Sequence, residues 1–297
     1  MKCDLCPRKC LVDRKKGEKG ICGQTENLKV ARAALHFWEE PCISGDAGSG
    51  AVFFSGCPLH CVFCQNENIA NGTVGKEISL ERLVDIFLEL QEKRANNINL
   101  VTPGHFVPQI VKALDQARKE GLTLPVVYNT SSYETVDTIK MLEGYVDIYL
   151  PDFKYMSPVL SKKYSHAPDY AEVAKAAIAE MVRQTGKAVF VNGEEDNLIL
   201  SGTIVRHLTL PGCMADSMQI VKYLHDTYGD MIYISIMNQF TPLSNLEKYP
   251  ELNRRITDEE YETLVDYAID IGIENGFIQE GDTAEESFIP AFDCEGV

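Results

Sequence analysis

From residue 51 onward the chain alternates short apolar runs with stretches whose apolar positions recur at helical spacing. Ala51-Val52-Phe53-Phe54-Ser55 predicts a buried strand. Leu80, Leu83, Val84, Phe87 and Leu88 then fall at i, i+3, i+4, i+7 and i+8, the apolar face of a helix. The exchange repeats, with strands expected at 99–101, 125–128, 146–150, 203–210 and 231–237. Helices are expected at 107–114, 135–142, 170–185 and 215–228. A last helix opens with the capping box Thr257-x-x-Glu260, and Tyr261, Leu264, Val265, Ala268 and Ile269 share its apolar face. Six strand–helix repeats with near-continuous apolar strands predict a parallel sheet covered by helices. A partial barrel and an open doubly wound sheet both satisfy that pattern. The fold class expected is α/β, a partial (β/α)6 TIM-type barrel over 51–280. Residues 1–50 show little periodicity and form a small cysteine-rich module, and 281–297 form a tail. Residues 192–197 read as the turn of an inserted hairpin, and the acidic stretch 280–286 as a solvated loop.

Composition narrows the function classes. Hydrophobic residues make up 45% and charged residues 24%, which excludes a disordered chain, a collagen-like repeat and a coiled-coil rod. The net charge of −16 argues against a nucleic-acid backbone as partner. No apolar run approaches the ~20 residues of a membrane helix. The opening Met1-Lys2-Cys3-Asp4 lacks a signal-peptide apolar region. A soluble cytoplasmic protein is the expectation. Ten cysteines are present, and their placement says more than their number. Cys3, Cys6, Cys10 and Cys22 crowd one segment, and Cys57, Cys61 and Cys64 another. Clustered thiols in a reducing compartment are more often metal ligands than disulfides. Cys42, Cys213 and Cys294 stand apart, read as a spare ligand or an idle thiol, a packed thiol and a tail thiol.

In either architecture the chemistry belongs beyond the carboxyl ends of the strands. The three-cysteine loop follows the first strand, and Thr102-Pro103-Gly104-His105 the second. Asn129-Thr130-Ser131 follow the third, Asp152 and Lys154 the fourth, and Asn238-Gln239 the sixth. Arg206 and His207 lie in the fifth, where alternation sends them to opposite faces, so only one points at a bound group. Arg206 or Lys154 supplies the cationic partner that a buried ligand carboxylate needs.

Ser55-Gly56-Cys57-Pro58-Leu59-His60-Cys61-Val62-Phe63-Cys64-Gln65-Asn66 gives the spacing C-x3-C-x2-C. Thiolates at close spacing let one loop wrap an iron–sulfur cluster. Three thiolates on a [4Fe–4S] cube leave one iron open, and an open coordination position points to chemistry. This loop after a first barrel strand resembles the radical S-adenosylmethionine (SAM) superfamily. It resembles in particular an activase-like branch, akin to the glycyl-radical-enzyme activases. Trp38-Glu39-Glu40-Pro41 with Ile43-Ser44-Gly45 carries the resemblance further. So do Tyr149-Leu150-Pro151-Asp152-Phe153-Lys154-Tyr155 and Val205-Arg206-His207-Leu208-Thr209-Leu210-Pro211-Gly212.

The resemblance implies a [4Fe–4S] cluster on Cys57, Cys61 and Cys64, and SAM held at Phe63, Thr102, Gly104, Asn129, Ser131, Asp152, Lys154 and Arg206. It also implies reductive cleavage of SAM to a 5′-deoxyadenosyl radical that abstracts hydrogen. The substrate expected is a glycyl radical enzyme or another protein, with a peptide or a small metabolite as the alternative. A flavodoxin or ferredoxin is expected as reductant. Two departures stand out: Thr102-Pro103-Gly104 replaces Gly-Gly-Glu, and Asn129 replaces an Asp that helps hold a monovalent cation.

Cys3-x2-Cys6-x3-Cys10-x11-Cys22 offers four thiolates, the count of a closed zinc or iron site or a fully ligated cluster. A structural staple and an electron relay are both open. A reading from a different class, a non-catalytic iron–sulfur or zinc electron carrier, ordinarily needs four protein ligands. Three cysteines with polar groups at the other strand ends favour catalysis.

Overall fold

The computed structural model describes residues 2–191, 198–242, 246–279 and 290–297; the turn expected at 192–197 and the acidic stretch 280–286 lie outside them. Its strands are β1 (Leu28–His36), β2 (Ser49–Phe54), β3 (Lys76–Ile78), β4 (Ile98–Val101), β5 (Val126–Thr130), β6 (Ile148–Pro151), β7 (Val189–Phe190), β8 (Ile199–Leu208), β9 (Tyr233–Met237) and β10 (Gly276–Ile278). Its α-helices are α1 (Pro41–Ser44), α2 (Glu67–Ala70), α3 (Leu80–Glu92), α4 (Val107–Lys119), α5 (Val136–Lys140), α6 (Pro158–Ser165), α7 (Tyr170–Thr185), α8 (Met214–Tyr228) and α9 (Asp258–Asp270).

Seven strands run parallel in the spatial order β2-β4-β5-β6-β8-β9-β10. The result is the partial TIM-like barrel that the alternation predicts, with β10 as one parallel strand more. Three residues, Gly276-Phe277-Ile278, are too few for a period-2 pattern to register. β1 adds antiparallel to β2, and β3 antiparallel to β1. The cysteine-rich stretch outside the sheet therefore ends near residue 27 rather than 50. Arg32 among three alanines and one valine gives β1 a weak alternation, so its pattern is not readable as a strand. Residues 290–297 are not a loose tail either. Cys294 N–H donates to Ala31 and Ala33 N–H to Glu295, extending the edge of β1 beyond β3.

Alternation within each strand sorts side chains between two environments. Val126 and Tyr128 face outward into the core that α3 and α4 cover. Val127 faces inward, where it meets Ile148, Leu150, Ile199 and Ile204. Ile43 and Cys42 of α1 plug this inner layer, and Asn96 and Asn97 side chains donate to the carbonyls of Ser44 and Ile43 at 2.6 and 2.8 Å. Cys42 is thus a core residue. Above the plug the inward positions turn polar: Asn99, Asn129, Asp152, Arg206 and Ser235. A floor of aliphatic side chains beneath a ring of polar ones is what positions the site.

Candidate active site

A cavity of about 630 Å3 opens above that floor, lined among others by Cys57, Cys61, Phe63, Cys64, Thr102, Asn129, Ser131, Asp152, Lys154 and Arg206. The loop after β2 carries the three thiols on one wall. Gly56 stands at φ +93°, where a Cβ would come 2.5 Å from the Cys22 carbonyl, and His60 takes φ +50°. These left-handed turns fold the loop back on itself. Backbone N–H groups of Leu59 and His60 point at the Cys57 sulfur, that of Asn66 at Cys64, and the Ser165 hydroxyl at Cys61 at 3.0 Å. Donors aimed at sulfur favour thiolates. Burial opposes ionisation: it pushes the Cys57 thiol up to about 11 and raises Cys61 and Cys64 as well, with the charge of neighbouring thiols adding to the rise at Cys57 and Cys64 and Lys154 opposing it at Cys61. A cationic iron group resolves that conflict, because coordination replaces the proton. Among the described residues no group of His, Cys, Asp and Glu is arranged to hold a single metal ion. Three thiols spread along a wall suit a cluster with several irons.

The same cavity holds one continuous ionic network, whose Lys154 and Asp152 act electrostatically on Cys61. Arg206 Nε donates to Asp152 at 3.0 Å, one terminal nitrogen to Glu39 at 3.0 Å and the other to Asn129 Oδ1 at 2.6 Å. Lys154 Nζ donates to the second Asp152 oxygen at 2.6 Å. The other Glu39 oxygen accepts from Asn99 and Asn129 amides at 3.0 and 3.1 Å. Burial alone would push Asp152 up, but Lys154 and Arg206 beside it hold its carboxyl below the ordinary value. Arg206 lies on the inner face, and His207 is buried on the outer one, bonded to the Phe153 carbonyl and Ser217 Oγ at 2.8 Å each. Opposite-face placement follows directly from strand alternation.

Tyr170 ties the neighbouring segments, donating to the carbonyls of Ser131 and Asp152 at 2.9 Å and accepting from Lys154 N–H at 3.0 Å. Thr102 lines the cavity at φ +56°, an unusual backbone for a β-branched residue. Phe63 packs edge-on against Tyr155 and Phe240. Gly104 is brought elsewhere. A Cβ there would meet the Glu134 carboxylate at 2.9 Å, so Gly104 backs onto Glu134 and is not among the residues that line the cavity. His105 is also drawn outward, its Nε2 2.7 Å from the Ser55 carbonyl.

Residues absent from the sequence-based site are Glu39, Glu40 and Ser235, all of which line the cavity. Glu39 supplies a carboxylate beside Asn129, where the activase pattern has its Asp. The signal was present as two adjacent carboxylates before Pro41, but nothing local to them says that they enter the barrel. Cys3, Cys10 and Cys22 lie within electrostatic reach of Cys6, without forming an arrangement that holds a single metal ion. Each of the other three raises the Cys6 thiol electrostatically, burial raises it most, and it stands at about 12. Ile21 N–H donates to the Cys10 sulfur at 3.3 Å. Their segment leans on the thiol loop: Arg8 donates to the carbonyls of Pro58, His166 and Ser165 at 3.0, 2.6 and 3.0 Å, and His60 Nε2 lies 2.7 Å from the Ile21 carbonyl.

Residues 51–198 match the family model described as the radical SAM superfamily. An uncharacterised protein of Methanocaldococcus jannaschii is 28% identical over 272 residues, covering 90% of this chain and 74% of that protein. Among solved structures, Streptococcus suis SuiB bound to S-adenosylmethionine superposes with a TM-score of 0.52 at 13% identity, over 76% of this chain and 48% of that one. HydG, a maturase of the [FeFe]-hydrogenase, gives 0.52 at 15% identity, over 78% and 52%. The chain spans about half the length of these solved structures, and the likeness to them is one of fold. The matched stretch contains the thiol loop and strands β4 to β6, ending just before β8, and by it the chain belongs to the radical SAM superfamily.

Proposed function

We propose that this protein cleaves SAM reductively and uses the resulting radical to abstract hydrogen from a protein, in the manner of the glycyl-radical-enzyme activases it resembles. The observation that carries the reading is the set of three thiols, rather than four, lining a cavity that also holds a charged network. Cys57, Cys61 and Cys64 would hold a [4Fe–4S] cluster, and the cavity residues from Thr102 to Arg206 would hold SAM. When bound, the pair supplies one-electron cleavage of a carbon–sulfur bond.

The chain's own residues do the rest by positioning. Arg206 has donor N–H groups beyond the three already engaged and presents them to a carboxylate. Asp152, kept ionised by two cations, accepts from hydroxyl or amino groups. Phe63 and Leu59 in the loop and Val101 on β4 exclude water from the thiol wall. A flavodoxin or ferredoxin would deliver the electron. The same proposal includes a second centre, zinc, iron or iron–sulfur, on Cys3, Cys6, Cys10 and Cys22. Metal analysis of a Cys3→Ala/Cys6→Ala double variant tests it, and unchanged metal content removes it.

Anaerobic reconstitution, chemical reduction and addition of SAM form the decisive assay. Wild-type protein is expected to release 5′-deoxyadenosine, and Cys61→Ala to lose both that product and the visible iron–sulfur absorbance. Absorbance unchanged in Cys61→Ala would overturn the assignment. A glycyl-radical signal by electron paramagnetic resonance with candidate partner proteins tests the target.

A further inference from the structure

The cavity contains one acid more than its cations require. Glu39 and Asp152 take up the positive charge of Arg206 and Lys154. Glu40 faces the same cavity with only 8% of its surface exposed. The Ser235 hydroxyl bonds its carboxyl group, and its Oε2 is buried with no hydrogen-bond partner. A buried, unpartnered oxygen is a standing cost to the fold unless a ligand supplies the donor. Aromatic residues line the same cavity, among them Phe277, paired in register with Ser235, and Trp38, which is 62% exposed.

We infer that this end of the cavity is a substrate subsite in which Glu40 receives a cationic nitrogen, an ammonium or a guanidinium, carried by the substrate. The inference rests on the radical SAM reading above and names the substrate class for it. A carboxylate beside aromatic faces is the chemistry that selects a cation, since the rings attract positive charge and the acid fixes its position. The nearest protein cation, Arg206, acts on Glu40 through its charge but makes no hydrogen bond to it, its guanidinium being held by Asp152, Glu39 and Asn129. A cavity of about 630 Å3 that also takes the cluster and SAM leaves space for a side chain or a small amine, not for a folded domain. The nitrogen therefore belongs either to a lysine or arginine of an extended peptide segment or to a free polyamine-like molecule.

Calorimetric titration of the reconstituted full chain, with SAM present, tests this. The probes are cadaverine and agmatine in one arm, Gly-Lys-Gly and Gly-Arg-Gly peptides in the other, and 1-pentanol as the neutral control. Wild-type protein is expected to bind a cationic probe and not pentanol, and Glu40→Gln to bind it at least about tenfold more weakly. The arm that binds more tightly identifies the source of the nitrogen. Equal binding by both proteins, or no cationic probe bound by wild type, overturns the inference. Should Glu40→Gln fail to fold, Trp38→Ala, at an exposed position, is expected to weaken the cationic probes several-fold, and unchanged binding counts against the subsite. The same samples are assayed for 5′-deoxyadenosine. Product without cation binding removes the subsite alone, and no product removes the radical SAM reading beneath it.

Discussion

Arg206 shows how one side chain organises the cavity. Its guanidinium joins the ends of β8, β6 and β5 to Glu39, and each partner is nearly buried. Arg206→Ala leaves the nearly buried Asp152 and Glu39 without their shared cation, and such a break typically costs about 3–5 kcal/mol. Urea denaturation of the apo-protein is expected to show a loss of that order. Arg206→Lys recovers only part, because an ammonium cannot span three acceptors in a planar fork. Its neighbour His207 carries a pH signature. Burial is the main reason its imidazole is held down to about 4, while an unfolded histidine protonates near 6.5. Its contribution is complete above pH 6.5 and is lost as pH falls toward 4, about 3 kcal/mol over that window. His207→Gln is expected to flatten the acid side of the stability profile, read from urea midpoints at a series of pH values. An equally steep profile in the variant would contradict the buried, neutral imidazole. That Arg206 and its neighbour face opposite ways was legible from alternation, while the choice of Arg206 as the inward one rested on the resemblance to the activase strand. Glu39 and Glu40 were not, because their place in the cavity depends on α1 plugging the barrel from below, a contact between distant segments.

At the level of elements, legibility followed pattern length. α7 was read from apolar spacing with the ends the structure gives it, and α9 from its capping box, whose two reciprocal bonds are both present. Thr257 Oγ1 accepts from Glu260 N–H at 3.2 Å, and the Glu260 carboxylate reaches back to Thr257 N–H at 3.0 Å. Thr257→Ala is expected to cost about 1 kcal/mol, measured as a shift in the urea midpoint. A shift near zero would mean that packing of Tyr261 and Leu264 alone sets the start of α9. α6, β3, β7 and β10 span between two and eight residues, too few for a period to establish itself. β8 starts four residues before the expected point, because its first residues pair with β7 and read as a hairpin arm.

On the scale of the whole molecule, the cysteine-rich segment braces the thiol loop. Arg8 grips three carbonyls, two of them at the end of α6, and stacks over Tyr133 at 5.1 Å. Arg14 reaches the His105 carbonyl, and Leu5 accepts from Thr138 at 2.7 Å. No helix among the described residues is long and apolar enough to cross a membrane. Arg8→Ala is expected to cost roughly 2 kcal/mol through lost charge-assisted bonds and to speed the removal of iron from the reconstituted protein by a chelator. Identical iron-release kinetics would show that the brace has no hold on the loop. None of these contacts was legible in advance, since the partners stand up to 158 positions apart and no local spacing encodes them.

The grip of Arg8 on residues as distant as His166 also sets a timetable for synthesis. At ribosomal speeds of ~5–20 residues per second, the receiving carbonyls emerge on the order of ten seconds after the first four cysteines. Through that interval the segment has only the thiol loop to lean on and lacks its hold on the end of α6, so oxygen and stray metals reach its thiols more readily, and yield of intact protein is expected to depend on how anaerobically the chain is made.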